Sequence, residues 1–72
     1  MGYKVVYEFH RSETKAKQAL KKIPSIFHNP RIEVADDGTF AVVAGEYDSK
    51  ERAVQATHKL YENKLHGGIW IV

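Results

Sequence analysis

The 72-residue sequence predicts an α+β fold with its elements in the order β-α-β-β-α-β. Three observations lead there. Apolar residues alternate with period two in four short segments and recur at helical spacing in two others. Each helical segment follows a residue able to cap it. The two halves also resemble each other when one is slid along the other by 37 residues.

Residues 3–10, Tyr-Lys-Val-Val-Tyr-Glu-Phe-His, send Tyr3, Val5, Tyr7 and Phe9 one way and Lys4, Val6, Glu8 and His10 the other, which is a half-buried strand. Ser12 can cap a helix with apolar positions Ala16, Ala19, Leu20 and Ile23. Pro24 ends it, because proline disfavours helical geometry in the residue before it. Residues 25–30 form a short connection whose Ile26 and Phe27 can close the end of the core. Arg31 to Ala35 and Thr39 to Gly45 read as the second and third strands. Between them Asp36-Asp37-Gly38 predicts a tight primed hairpin turn. Asp48 starts a second helix, with Glu51 completing a capping box and Ala53, Ala56, Thr57 and Leu60 as its inner stripe. Gly67-Gly68 breaks the chain, and Ile69 to Val72 is a last short strand.

The 37-residue slide aligns Val5-Val6 with Val42-Val43, Ser12 with Ser49, Ala16 with Ala53, and Gln18-Ala19 with Gln55-Ala56. Lys22 falls on Lys59, and Tyr3 and Ile23 fall on Phe40 and Leu60. A repeated β-α-β unit is the pattern of a pseudo-symmetric ferredoxin-like sandwich. Two helices are therefore expected on one face of a four-stranded antiparallel sheet, leaving the other face open. The length admits one domain, residues 1–72.

The helix-facing side is expected to collect Tyr3, Val5, Tyr7, Phe9, Ile32, Val34, Phe40, Val42, Ala44, Ile69 and Ile71. The open side is expected to collect Lys4, Val6, Glu8, His10, Arg31, Glu33, Ala35, Ala41, Val43, Trp70 and Val72. Its middle is apolar and its rim charged, and it carries the only tryptophan. An aromatic ring in that setting suits stacking on a sugar, a base or another protein. A one-residue slip of the last strand would instead turn Trp70 inward.

Composition narrows the function by exclusion. With 43% hydrophobic and 28% charged residues the chain has the make-up of a globular domain, and no cysteine is present for a disulfide or thiolate site. No apolar run approaches the roughly 18–20 residues that cross a bilayer. A net charge of +2 is too small to demand a polyanionic partner. His10, His28, His58 and His66 keep no metal-ligand spacing, and the five glycines form no phosphate or dinucleotide loop. Glu8 and Glu33 on an open sheet lack the enclosing pocket of an acid/base pair. Neither catalysis nor a metal or redox cofactor is expected. The element order is also that of RNA-recognition motifs, but the open positions of the first and third strands lack that module's aromatics. The basic first helix, with Arg11, Lys15, Lys17, Lys21 and Lys22, reads as a solvated face rather than a nucleic-acid contact.

The stretch Phe40 to Ala53, with Val42-Val43, Gly45, Tyr47, Ser49 and Ala53, resembles the repeat of the SPOR (sporulation-related) domain family. Val5-Val6 through Ser12 to Ala16 fits more loosely, with Glu8 where the glycine would stand. The resemblance implies a non-catalytic module that binds peptidoglycan glycan strands lacking stem peptides across the open sheet face. It carries the ligand-binding role onto Val6, Glu8, Arg31, Val43 and Trp70. A second reading is a small bacterial or phage protein-interaction or regulatory domain, joined as a homodimer through Val6, Ala41, Val43, Trp70 and Val72. The first reading suits a domain cut from a longer periplasmic or cell-wall protein. The second suits a complete cytoplasmic chain.

Overall fold

The computed structural model describes residues 2–27 and 29–71. Its elements are β1 (Tyr3–His10), α1 (Glu13–Leu20), β2 (Arg31–Val34), β3 (Phe40–Tyr47), α2 (Lys50–Glu62) and β4 (Gly68–Ile71). The strands form one antiparallel sheet in the order β2-β3-β1-β4, with both helices packed on one face. This is the expected ferredoxin-like sandwich. Val72, expected to finish the last strand, lies outside the described residues.

The internal repeat holds to the residue. β3 is β1 displaced by 37 positions, and β4 is β2 displaced by the same number. Pairing follows: Tyr3↔Ile71 becomes Phe40↔Val34 in the other half, and Val6↔Gly68 becomes Val43↔Arg31. A pseudo-two-fold axis therefore runs between the central strands β1 and β3. Ser12 and Ser49 sit at equivalent N-caps, each accepting a hydrogen bond from the backbone N–H three residues on, at Lys15 and Arg52. Ala16 and Ala53 are both fully buried, where a methyl group lets each helix lie close to the sheet.

Several boundaries differ from expectation. The second helix is capped by Ser49, not Asp48, so Glu51 falls one position short of completing a capping box. The first helix stops at Leu20, before Pro24 requires it. A tighter turn follows, in which Lys22 N–H bonds Ala19 C=O and Ile23 N–H bonds Leu20 C=O, and it still delivers Ile23 into the core. The β2–β3 hairpin uses a three-residue loop. Gly38 N–H bonds Ala35 C=O, and Gly38 alone takes positive φ (86°), giving a turn plus glycine bulge in place of the two-residue primed turn.

The main core joins Val5, Tyr7, Val42 and Ala44 of the sheet to Ala16, Ala19, Ile23, Phe27, Ala53, Ala56 and Leu60. Tyr3, Ile32, Phe40 and Ile69 pack at its margin, as their phase predicts. Val34 shares their strand phase but is 68% exposed at the sheet edge, beyond the reach of helix cover.

The largest departure lies in β1. Its register against β3 shifts between Val5 and Val6 and again between Val6 and Glu8. The shifts cancel, so Tyr7-Glu8 and their repeat equivalents Ala44-Gly45 are each two successive residues on the helix side. Glu8 consequently pairs opposite core residue Val42, and His10 opposite Phe40. Phe9 pairs opposite Ala41 and stands on the open face, 53% exposed. Strict alternation had put Phe9 in the core and Glu8 and His10 on the open face; the paired bulges exchange them.

Candidate functional site: the open sheet face

The open face has a dry floor. Val6, Ala41 and Val43 form a second small apolar cluster opposite the main core. Val43 is fully buried and Val6 nearly so. Two of the predicted ligand residues thus underlie the surface, and contacts must come from the groups above.

Those groups divide into an aromatic side and an ionic side. On the first, Phe9 and Trp70 meet edge to face with ring centroids 5.9 Å apart, and Trp70 is 41% exposed. Trp70 therefore faces outward, as the alternation places it. Lys4 Nζ lies 6.0 Å from the centre of the tryptophan ring, a cation–π distance.

On the ionic side, Arg31 Nε donates to Glu33 Oε2 at 2.7 Å and its terminal nitrogen to Glu46 Oε1 at 2.8 Å. Lys4 Nζ donates to the other Glu33 oxygen at 2.5 Å. The Lys4 hydrogen bond holds the Glu33 carboxyl below the ordinary value; Arg31 adds to this against an opposing effect of burial. Lys4 thus joins the two sides.

Glu8, the remaining predicted ligand residue, belongs to the flank. Its oxygens contact His10 Nε2 at 2.7 Å and His66 Nε2 at 3.4 Å. His66 lies against the Tyr7 ring, with centroids 5.2 Å apart. Burial, and then the neighbouring Glu8 charge, raise the Tyr7 hydroxyl above its usual range. The structure therefore brings Arg31 and Trp70 to one exposed face over Val6 and Val43, and sets Glu8 apart at its edge.

Phe9 is the exposed group that alternation misses. The change of parity shows in the strand pairing and not in the sequence: Val42 and Ala44 alternate as core, yet Gly45 and Tyr47 also belong to the helix side. Residues of both parities can share a face only across a bulge. Gly45 makes room there, since a β-carbon on it would lie 3.0 Å from the Tyr47 hydroxyl and 3.2 Å from its ring. In β1 the same two positions hold Glu8 and His10, joined by a hydrogen bond instead.

The fold is similar to the solution structure of the peptidoglycan binding domain of the B. subtilis cell wall lytic enzyme CwlC. The TM-score is 0.83 at 16% sequence identity, over 96% of this chain and 86% of that one. At that identity the likeness is one of fold. No protein-family model and no curated protein sequence matches the chain.

Proposed function

We propose that the chain is a non-catalytic, SPOR-like module that binds peptidoglycan glycan strands across its open sheet face. The observation that carries this reading is an uncovered face bearing exposed Phe9 and Trp70 beside the Arg31–Glu33–Lys4 cluster. The same fold carries peptidoglycan binding in the CwlC domain, which supports the choice of ligand. In the proposed complex Trp70 and Phe9 stack on the apolar faces of sugar rings, and Arg31 and Lys4 bond to their polar edges. Val6 and Val43 support these groups from beneath. Glu8 acts at the margin by holding His10 and His66.

An amide-resolved NMR titration with peptide-free peptidoglycan glycan fragments tests the proposal. Shifts are expected along residues 4–9, 31–33, 41–46 and 68–70, with the helix amides still. A folded protein that shows no shift at millimolar glycan, or shifts confined to the helices, would refute it.

A further inference from the structure

The repeat gives the open face two equivalent halves, and their chemistry has diverged. Displacement by 37 residues carries Phe9 onto Glu46, Gly68 onto Arg31 and Trp70 onto Glu33. In the half of the face made by β2 and β3, Arg31 pairs with both Glu33 and Glu46, and the three side chains form a closed ion-pair cluster. In the half made by β1 and β4 the position of Arg31 is a glycine, Gly68. A β-carbon built on Gly68 would meet nothing within 4 Å.

The space left by Gly68 is an open cleft of about 330 Å³, lined by Val6, Phe9, Trp70, His66, Gly67 and Gly68 among others. That lies at the small end of ligand sites, suited to one ring rather than an extended chain. Val6, Ile69 and the rings of Tyr7, Phe9 and Trp70 make most of its wall apolar, while His66, tied to Glu8, supplies a polar edge. A pyranose has the matching pair of surfaces: a C–H face for the aromatics and hydroxyl or acetamido groups for the imidazole.

Building on the proposed function, we infer that glycan recognition is one-sided. One sugar ring seats in the Phe9–Gly68–Trp70 cleft, and the Arg31 half holds no equivalent subsite.

Filling the cleft tests this directly, with the same peptide-free glycan fragments as probe. Gly68→Arg copies the other half, and Gly68→Leu fills the space without charge. Gly68 has no positive φ and faces open space, so both variants should melt close to the parent. Each should weaken binding about tenfold or more, as should Trp70→Ala, whereas Arg31→Ala, which removes a polar-edge contact without touching the cleft, should cost clearly less than Trp70→Ala. Parent-like binding by both Gly68 variants, or an Arg31→Ala loss as large as that of Trp70→Ala, would overturn the one-sided subsite while leaving the glycan-binding face intact. Absence of binding by the parent protein would instead remove the proposed function and the subsite together.

Discussion

The two halves of this molecule share a backbone and differ in what they do with it. Strand limits, pairing register, bulges, serine caps and buried alanines recur at the same displacement. Helix ends and surfaces do not. α1 has 8 residues and α2 has 13. Pro24 stands where α2 has Tyr61, which a helix can accommodate. On the open face one half carries aromatic rings around a cleft and the other a salt-bridged arginine. Sheet pairing and helix packing restrict the shared features, because a change on one strand must suit its partners. Exposed side chains have no such partner to satisfy, so the halves can specialise there.

The largest expected effects come from equivalent core positions. Leu60 is fully buried within α2, while its counterpart Ile23 lies in the turn after α1 and keeps slight exposure. Leu60→Ala should cost about 3–5 kcal/mol and Ile23→Ala about 2, because the turn can relax around the void. A domain of this size has roughly 4–10 kcal/mol in total, so Leu60→Ala should approach global unfolding. Urea denaturation of both variants checks the order. Equal losses would mean that the turn is as rigid as the helix.

Glycine positions sharpen the comparison next. A β-carbon on Gly67 would lie 2.7 Å from Leu60 Cδ1 and 3.1 Å from the Val6 carbonyl oxygen, with backbone on one side. Gly67→Ala should therefore cost about 1–3 kcal/mol. Gly45→Ala should cost about 1 or less, since only the half-buried Tyr47 ring must move. The first half argues for that tolerance, because Glu8 already occupies the position equivalent to Gly45. If Gly45→Ala proves the costlier change in denaturation, the Tyr47 ring is fixed and the two bulges are not interchangeable.

The element order, both helix stripes, the serine cap of α1 and the outward Trp70 were legible from sequence because each rests on local periodicity or a local signal. The exposed Phe9 was not. Its orientation depends on a bulge that only cross-strand pairing creates, and one extra residue reverses every side chain after it. The burial of Val6 and Val43 was hidden for another reason. Their face is correct, but burial on an open sheet depends on what neighbouring strands contribute, and there the ion-paired partners are up to 29 residues apart.

The helix ends offer a stabilising test. α2 finishes with Lys64 N–H bonded to Tyr61 C=O and Leu65 N–H bonded to Leu60 C=O, the pattern of a Schellman cap. It places Lys64 at φ 62°, a left-handed conformation disfavoured for a residue with a β-carbon. Lys64→Gly should stabilise the fold by about 0.5–1 kcal/mol, the relief of strain exceeding the entropy lost by glycine. An unchanged or lowered urea midpoint would show that Lys64 makes a compensating contact. The equivalent residue of the first half, Phe27, is buried in the core, so no such gain is available there.

The smallest effect separates the two sides of the open face by charge. Glu33 is ionised within the Lys4–Arg31 cluster, whereas its repeat partner Trp70 does not titrate. Because folding lowers the Glu33 pKa, its contribution is present above the ordinary value of 4.5 and is lost as pH falls through the depressed folded value. Glu33→Gln should remove that contribution at neutral pH and flatten the acid side of the stability profile. The difference should be below about 1 kcal/mol, since the cluster remains partly solvated. Asp37 is also held below its usual range, by hydrogen bonds from Thr39, and loses its own contribution in acid. It does so in both proteins, so the parent-minus-variant difference, followed from neutral pH down through 4.5 into the acid range, isolates Glu33. A difference that stays constant across that window would mean that Glu33 supports the face through shape and hydrogen bonding alone. The ionic half would then be a spacer for the aromatic one, not an electrostatic counterpart to it.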